Sequence, residues 1–257
     1  MSPREIWIAY MTIVRKEVQR FLRIWPQTLL PAVITQSLYF VIFGHFIGSQ
    51  LREIHGVSYM SFIVPGLVMM AVINSSFSNV VSSFYGAKFQ HHIEELLVSP
   101  TPNWTILAGY TTGGVIRGLI VGTLVFGVSI FFVRPEIYSL PLIVFFIFMT
   151  AVVFSLGGFI NAIFAEKFDD VSIFPTFVLT PLTYLGGVFY SVNMLPEFWQ
   201  KISKLNPVLY MVNGFRYGFH GFSDVHVGIS LLILCGFMFA LIYTALVLLE
   251  KGTKLKS

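Results

Sequence analysis

Three places in this chain hold side chains that could carry chemistry. The first is Lys88-Phe89-Gln90-His91-His92-Ile93-Glu94-Glu95-Leu96-Leu97-Val98-Ser99-Pro100, a charged run in an otherwise apolar sequence. The second is the cluster Glu166, Lys167, Asp169 and Asp170. Imidazoles beside carboxylates can exchange protons as general acids and bases. A polar pocket joining His91, His92, Glu166 and Asp169 would make the chain an enzyme embedded in a membrane. Metal binding fits these residues less well. Neighbouring helical residues point roughly 100° apart, so His91 and His92 do not chelate together, and the His-Glu-x-x-His spacing is missing. Asp169 and Asp170 also have a plainer use, since an acidic residue at a helix start accepts from free N–H groups and favours the positive helix end. The third place is Arg117, a cation inside an apolar run, where a charge is a functional hypothesis by default. It could pair within the protein, snorkel to the surface, or bind the acidic group of a substrate. No catalytic set and no metal site stands out.

The elements that must position these residues follow from composition. The chain has 257 residues, of which 56% are hydrophobic and 11% charged, with a mean hydropathy of +0.80. Soluble proteins carry about 25% charged residues, so most of this chain is expected to face lipid. The net charge of +4 is read as the Lys and Arg excess that membrane proteins gather on the cytoplasmic side, not as a nucleic-acid surface. The single cysteine, Cys235, leaves no disulfide within the chain. Residues 1–25 mix Arg15, Lys16, Glu17, Arg20 and Arg23 with bulky apolar residues, which is not the pattern of a cleavable signal.

Residues 6–25 read as an amphipathic helix. Trp7, Met11, Val14, Val18, Phe21, Leu22 and Trp25 form one stripe, with Arg15, Lys16, Gln19, Arg20 and Arg23 opposite. A basic face opposite Trp and Leu suits the membrane interface. A span needs about 20 mostly apolar residues. Six segments qualify: 27–49, 60–84, 105–133, 141–165, 171–191 and 227–249. The expected fold is therefore an all-α membrane protein. Placing both termini in the cytoplasm puts Arg4, Arg15, Lys16, Arg20, Arg23, Lys88, Lys167, Lys251, Lys254 and Lys256 inside. Arg52, Arg134, Lys201, Lys204 and Arg216 are then outside, and the excess favours this orientation. Segment 192–222 is too short and too broken by Asn206-Pro207 to span. It reads as an outer re-entrant hairpin, with one helix at 196–202 and another at 208–217, and must be sheltered by protein. Gly114, Gly118 and Gly122 repeat every four residues, a face for close helix packing. No internal repeat is evident, which argues against a secondary transporter built from inverted halves.

Within the charged run, Phe89, Ile93, Leu96 and Leu97 fall on one helical face, and Pro100 ends the helix. Periodicity leaves two uses open: docking to something that grips the helix, or packing onto the chain's own spans. No Gly-x-x-x-x-Gly-Lys-Ser/Thr motif occurs, so the chain carries no P-loop of its own.

Two motifs carry a family likeness. One is Pro181-Leu182-Thr183-Tyr184-Leu185-Gly186-Gly187-Val188-Phe189-Tyr190, followed by Leu195-Pro196, Trp199 and Leu205-Asn206-Pro207-Val208-Leu209-Tyr210. The other is Ile93-Glu94-Glu95-Leu96-Leu97-Val98-Ser99-Pro100. On these, nearly the whole chain resembles the membrane subunit of type-2 ABC exporters, the permease family that handles drugs, lipid-linked glycans and related amphiphiles. The resemblance implies that 86–100 is a coupling helix seated in a groove of a separate ATP-binding subunit. Lys88, Phe89, Ile93, Glu94, Glu95, Leu96 and Leu97 would be the docking residues, with Glu166, Asp169 and Asp170 beside them. It implies that 6–25 is the connecting helix. It implies a homodimer with two ATP-binding subunits in the bacterial inner membrane, in contact with lipid. ATP and Mg would sit on the partner, with no cofactor on this chain. Phe40, Arg117, Tyr184, Phe189 and Tyr190 would line a cavity between two protomers.

Overall fold

The computed structural model describes residues 1–48, 53–54 and 56–254. Arg52 and Lys256, counted above in the charge comparison, lie outside the described residues, as does residue 49 at the end of the first expected span.

Helix α1 (Pro3–Arg23) starts at a reciprocal cap. The Ser2 N–H donates to Glu5 Oε2 at 2.7 Å and the Glu5 N–H to Ser2 Oγ at 3.3 Å, the pattern that satisfies the orphan donors of a first turn. Pro26 and Pro31 then fragment the chain into α2 (Trp25–Thr28) and α3 (Leu30–Tyr39), because proline offers no N–H to the preceding turn. α3 continues as a wider π-helical turn over Phe40–Ile47.

Helix α4 (Tyr59–Phe89) is the axis of the molecule and is buried along most of its length. A short α5 (His92–Val98) leads to α6 (Asn103–Ser129) and α7 (Leu140–Phe164), and both long helices pack on α4. The glycines of α6 permit this. Gly114, Gly118 and Gly122 lie against Ser76, Val80 and Val72 of α4. One step around the helix, Gly109 and Gly113 receive Ile13 and Glu17 of α1. Small residues thus let two helices approach α6 closely, which is how membrane helices associate without a hydrophobic drive.

After α7 come α8 (Phe168–Phe174), a π turn over Pro175–Leu179, and α9 (Thr180–Leu185). Over the span expected at 171–191, helical turns run from Phe168 to Leu185 with a π turn among them. Gly187 at φ +73° turns the chain well before 191. Among the described residues, five helices are long and apolar enough to cross a membrane: Trp25–Gly44, Tyr59–Phe89, Asn103–Ser129, Leu140–Phe164 and Val227–Lys251. The last of these is α12. Between α9 and α12 lie α10 (Glu197–Lys204) and α11 (Pro207–His220). Nearly every residue of α11 is buried. Gly214 and Gly218 admit Phe146 and Ile143 of α7. The break before α11 is satisfied by Asn206, whose Oδ1 accepts from the Val208 N–H at 2.9 Å and whose Nδ2 donates to the Leu182 carbonyl at 2.6 Å. Arg216, expected among the outer flanking charges, is instead 1% exposed. Its guanidinium lies over the Phe62 ring at 3.9 Å and donates to the Gly187 carbonyl at 2.7 Å.

Candidate functional site

The charged run does not form one continuous helix. Lys88 and Phe89 belong to the end of α4. His91 then takes a left-handed conformation at φ 59°, a bend that puts α5 in a new direction. The continuous face from Phe89 to Leu97, expected from spacing, is broken there. Lys88 is not an outward cation. Its Nζ donates to the carbonyls of Ile163 and Ala165, at 2.7 and 2.8 Å, and so ties the end of α4 to the end of α7. Phe89 stays exposed, with Phe168 at 4.7 Å between ring centroids.

On α5 the apolar stripe faces inward. Ile93 is 1% exposed, and Leu96 and Leu97 pack against the core. Packing thus takes Ile93, while Leu96 and Leu97 are half-buried against the core. The outward face holds His91, His92, Glu95 and Val98. Val98 is 85% exposed, an unusual degree for valine at the end of a rigid helix. His91 Nδ1 lies 3.0 Å from Glu94 Oε1 on the same turn. Ser99 Oγ donates to the Leu96 carbonyl at 2.6 Å and closes the helix. A groove of about 620 Å³ runs beside α5 towards α1, lined in part by Lys16, His92, Glu95 and Tyr110.

The second cluster is structural in its contacts. Asp170 Oδ2 accepts from the Glu166 and Lys167 N–H groups, each at 2.9 Å, and those bonds hold its carboxyl below the usual range. Lys254 Nζ donates to Glu166 Oε1 at 2.6 Å, and this bond lowers the Glu166 carboxyl as well. Asp169 is exposed. Among the described residues, no hydrogen bond joins His91 or His92 to Glu166 or Asp169, and no group of three His, Cys, Asp or Glu could hold a metal. The polar pocket that an enzyme would need is not assembled. A depressed carboxyl gives stabilisation that is complete above its unfolded value and lost as pH falls through the lower folded value. The tail at Lys254 is therefore expected to stay anchored at neutral pH and to come loose in acid, below the ordinary Glu range. A spin label at Thr253→Cys, with Cys235→Ser, should report the change in mobility. Glu166→Gln should free the tail at every pH.

A buried polar junction went unnoticed in the sequence. Glu17 is 0% exposed. Ser83 Oγ donates to its Oε1 at 2.6 Å, and Arg20 Nη2 lies 3.5 Å from its Oε2. The same Arg20 nitrogen donates to the backbone carbonyl and Oδ1 of Asn79, both at 2.9 Å. These bonds fasten α1 to α4. The available signal was one acid in a basic run, three residues before an arginine.

The five residues expected around a cavity do not share one place. Phe40 is fully buried and stacks on Phe132 at 5.6 Å, so it is core. Arg117 donates to the Thr28 carbonyl at 2.9 Å. Tyr184, Phe189 and Tyr190 do gather. Phe189 lies 5.8 Å from Tyr184 and 4.7 Å from Phe43, and Tyr190 Oη donates to the Tyr184 carbonyl at 3.0 Å. Tyr39 and Tyr184 hydroxyls meet at 3.5 Å.

A sequence profile of the ABC-2 type transporter family matches residues 8–220. The chain is 54% identical over 251 residues to the inner membrane transport permease YadH of Escherichia coli (strain K12), covering 98% of each. It is 24% identical over 234 residues to nodulation protein J of Rhizobium meliloti (strain 1021), covering 89% of this chain and 87% of the other. Nodulation protein J of Neorhizobium galegae is 22% identical over 246 residues, covering 95% and 93%.

Proposed function

Because the chain belongs to the ABC-2 type transporter family as a membrane permease, we propose that it is the membrane half of an ATP-driven exporter, powered by a separate ATP-binding subunit that grips α5. The observation that carries this reading is the outward face of α5. A rigid helix presents Val98 to solvent while Ile93 locks it to the core. In this reading, force on that face reaches the core through the buried Ile93, and Lys88 links the end of α4 to α7. α4 packs along α6 and α7, so a push at α5 tilts the central helices together. The groove towards Lys16 offers the partner a second hold, on α1.

The docking set proposed here differs from the one that the family resemblance implied. Val98, Glu95, His92 and Phe89 are the surface residues, and Ile93, Leu96 and Leu97 support them from beneath. In this reading both termini and α5 are cytoplasmic, two copies of the chain face each other, and ATP and Mg bind on two partner subunits. The exposed Tyr184, with the half-buried Tyr39, Phe189 and Tyr190, suits an amphiphilic cargo at the protomer interface. The similarity to a relative named as an inner membrane transport permease supports placement in the bacterial inner membrane.

Val98→Asp tests this. The residue is exposed, so the permease should fold unchanged. A charge buried in a docking face typically costs about 1.4 kcal/mol or more, tenfold in affinity. Co-purification with the co-expressed ATP-binding subunit should fall by at least that factor, and substrate-stimulated ATP hydrolysis with it. Undiminished capture and turnover would place the ATPase elsewhere.

A further inference from the structure

We propose that a crevice between α1, α6, α7 and α12 holds one acyl chain of a resident bilayer lipid, which fills a gap that the helices leave. Two cavities make the crevice. The first, of about 610 Å³, is a mouth between the starts of α1 and α6, lined by Trp7, Tyr10, Trp104 and Ala108 among others. The second, of about 260 Å³, runs on between α6, α7 and α12, with Leu107, Leu156, Ile242 and Leu246 among its walls. Trp104 and Ala108 line both, so the mouth opens into the crevice. The gap has a cause in the packing. α12 packs chiefly on α7 and α11 and meets α6 more lightly. Ala108 is too short to close the space left over. Tyr10 is held in place, because its hydroxyl bonds that of Thr112 at 2.9 Å.

The position of the mouth identifies the occupant. Trp7 and Trp104 are exposed there. Trp104 lies in the first turn of a helix of membrane-spanning composition, and tryptophan gathers at the edge of a bilayer. From Trp104 to Thr111 the crevice climbs two turns, about 10 Å. That is most of the depth of one leaflet, whose hydrocarbon is roughly 15 Å thick. Among the described spans α12 is the least buried, so the crevice opens sideways to lipid. A helix from a second copy does not fit inside. Two turns of a helix about 10 Å across occupy roughly 800 Å³, well beyond the inner cavity. Among the described residues, no charged side chain lines either cavity, so a chain is held and not a headgroup. None of the walls belongs to α3 or α9, which separates this lipid from any cargo at Tyr39 and Tyr184. The inference needs the chain to sit in a bilayer, and does not need an ATPase to drive it.

Permeases with a single tryptophan test it. Changing Trp7, Trp25 and Trp199 to Phe leaves Trp104 as the reporter. A second permease keeps Trp25 alone, which is exposed on α2 and lines neither cavity. Each full-length protein is purified in detergent, stripped of lipid and titrated with phosphatidylcholine brominated on its acyl chains. Trp104 should be half-quenched at about a tenfold lower lipid concentration than Trp25, a preference of about 1.4 kcal/mol. The walls touch a chain on several sides where an open face touches it on one, and each added carbon pair contributes dispersion. Ala108→Phe fills the crevice from α6, and Ile242→Phe fills it from α12. Either one should bring Trp104 to the level of Trp25. Brominated phosphatidylglycerol should give the same curve as phosphatidylcholine. Equal quenching of the two reporters in the unfilled protein overturns the proposal, whether or not the filled variants fold. A Trp104 preference that survives in a folded, filled variant overturns it too, and a tenfold preference for one headgroup overturns the acyl-chain assignment. If filling the crevice splits a larger particle in light scattering, the face belongs to a second copy of this chain and the lipid is ruled out.

Discussion

Arg20→Leu will loosen α1 from the bundle and cost about 3 kcal/mol of stability. The reason is the carboxylate it leaves behind. Glu17 is wholly buried, and without Arg20 its charge keeps only the Ser83 hydroxyl at 2.6 Å. Breaking a buried pair by removing one partner typically costs 3–5 kcal/mol, roughly, and the partial exposure of the Arg20 side chain, 30%, argues for the lower end. The backbone and side-chain oxygens of Asn79 also lose their bonds from the one Arg20 nitrogen. Thermal unfolding in detergent should drop by roughly 6–12 °C, on the scaling of about 2–4 °C per kcal/mol for chains of this size. The pair Glu17→Gln with Arg20→Leu should recover most of that loss, because the stranded charge is gone. A double variant as unstable as Arg20→Leu would show that the lost Asn79 bonds, not the carboxylate, carry the effect.

Gly66→Ala is the second large effect, and Gly86→Ala on the same helix is its control. A Cβ on Gly66 would meet backbone: the Val188 carbonyl oxygen at 2.5 Å and its Cα at 2.9 Å. Backbone cannot rotate away, so α4 and the turn after α9 must part. That turn is already specialised, with Gly187 at φ +73° and its carbonyl held by Arg216 at 2.7 Å. Overpacking of this kind costs about 1–3 kcal/mol, and here the Arg216 bond is put at risk too. Gly86 has open space around its Cβ position, so alanine there should be neutral or should stabilise, by up to about 1 kcal/mol from helix propensity. The same chemical change on one helix should thus act with opposite signs. Guided unfolding of both variants checks it. If they behave alike, α4 is not in register with the turn at Val188.

The close packing was legible because small residues announce it. Gly114, Gly118 and Gly122 recur every four residues, and that spacing alone marks a face. What spacing could not say is which helix fills it. The second glycine pair, Gly109 and Gly113, takes α1 on an adjacent face, and no periodicity on one helix names its partner. The helix at α5 shows the same limit. An apolar stripe identifies a face that must be covered, but its cover is decided by direction. The bend at His91 turned Ile93, Leu96 and Leu97 towards the protein's own core, and left Val98 exposed beside His92 and Glu95.

The sequence by itself determined that this is a helical membrane chain. Hydropathy sets spans, because a run of about 20 apolar residues can satisfy its own backbone hydrogen bonds in lipid as a helix. It also determined where helices break, since proline and glycine act locally, and its motifs carried the family. The tertiary structure alone decided what the charges do. Arg216 reads as a flanking cation and is buried against Phe62. Lys88 reads as a docking cation and caps α7. Glu17 reads as one acid in a basic run and is the buried anchor of α1. A charge is satisfied by whatever lies within about 4 Å of it. Those neighbours come from distant parts of the chain, so only the fold can say which they are.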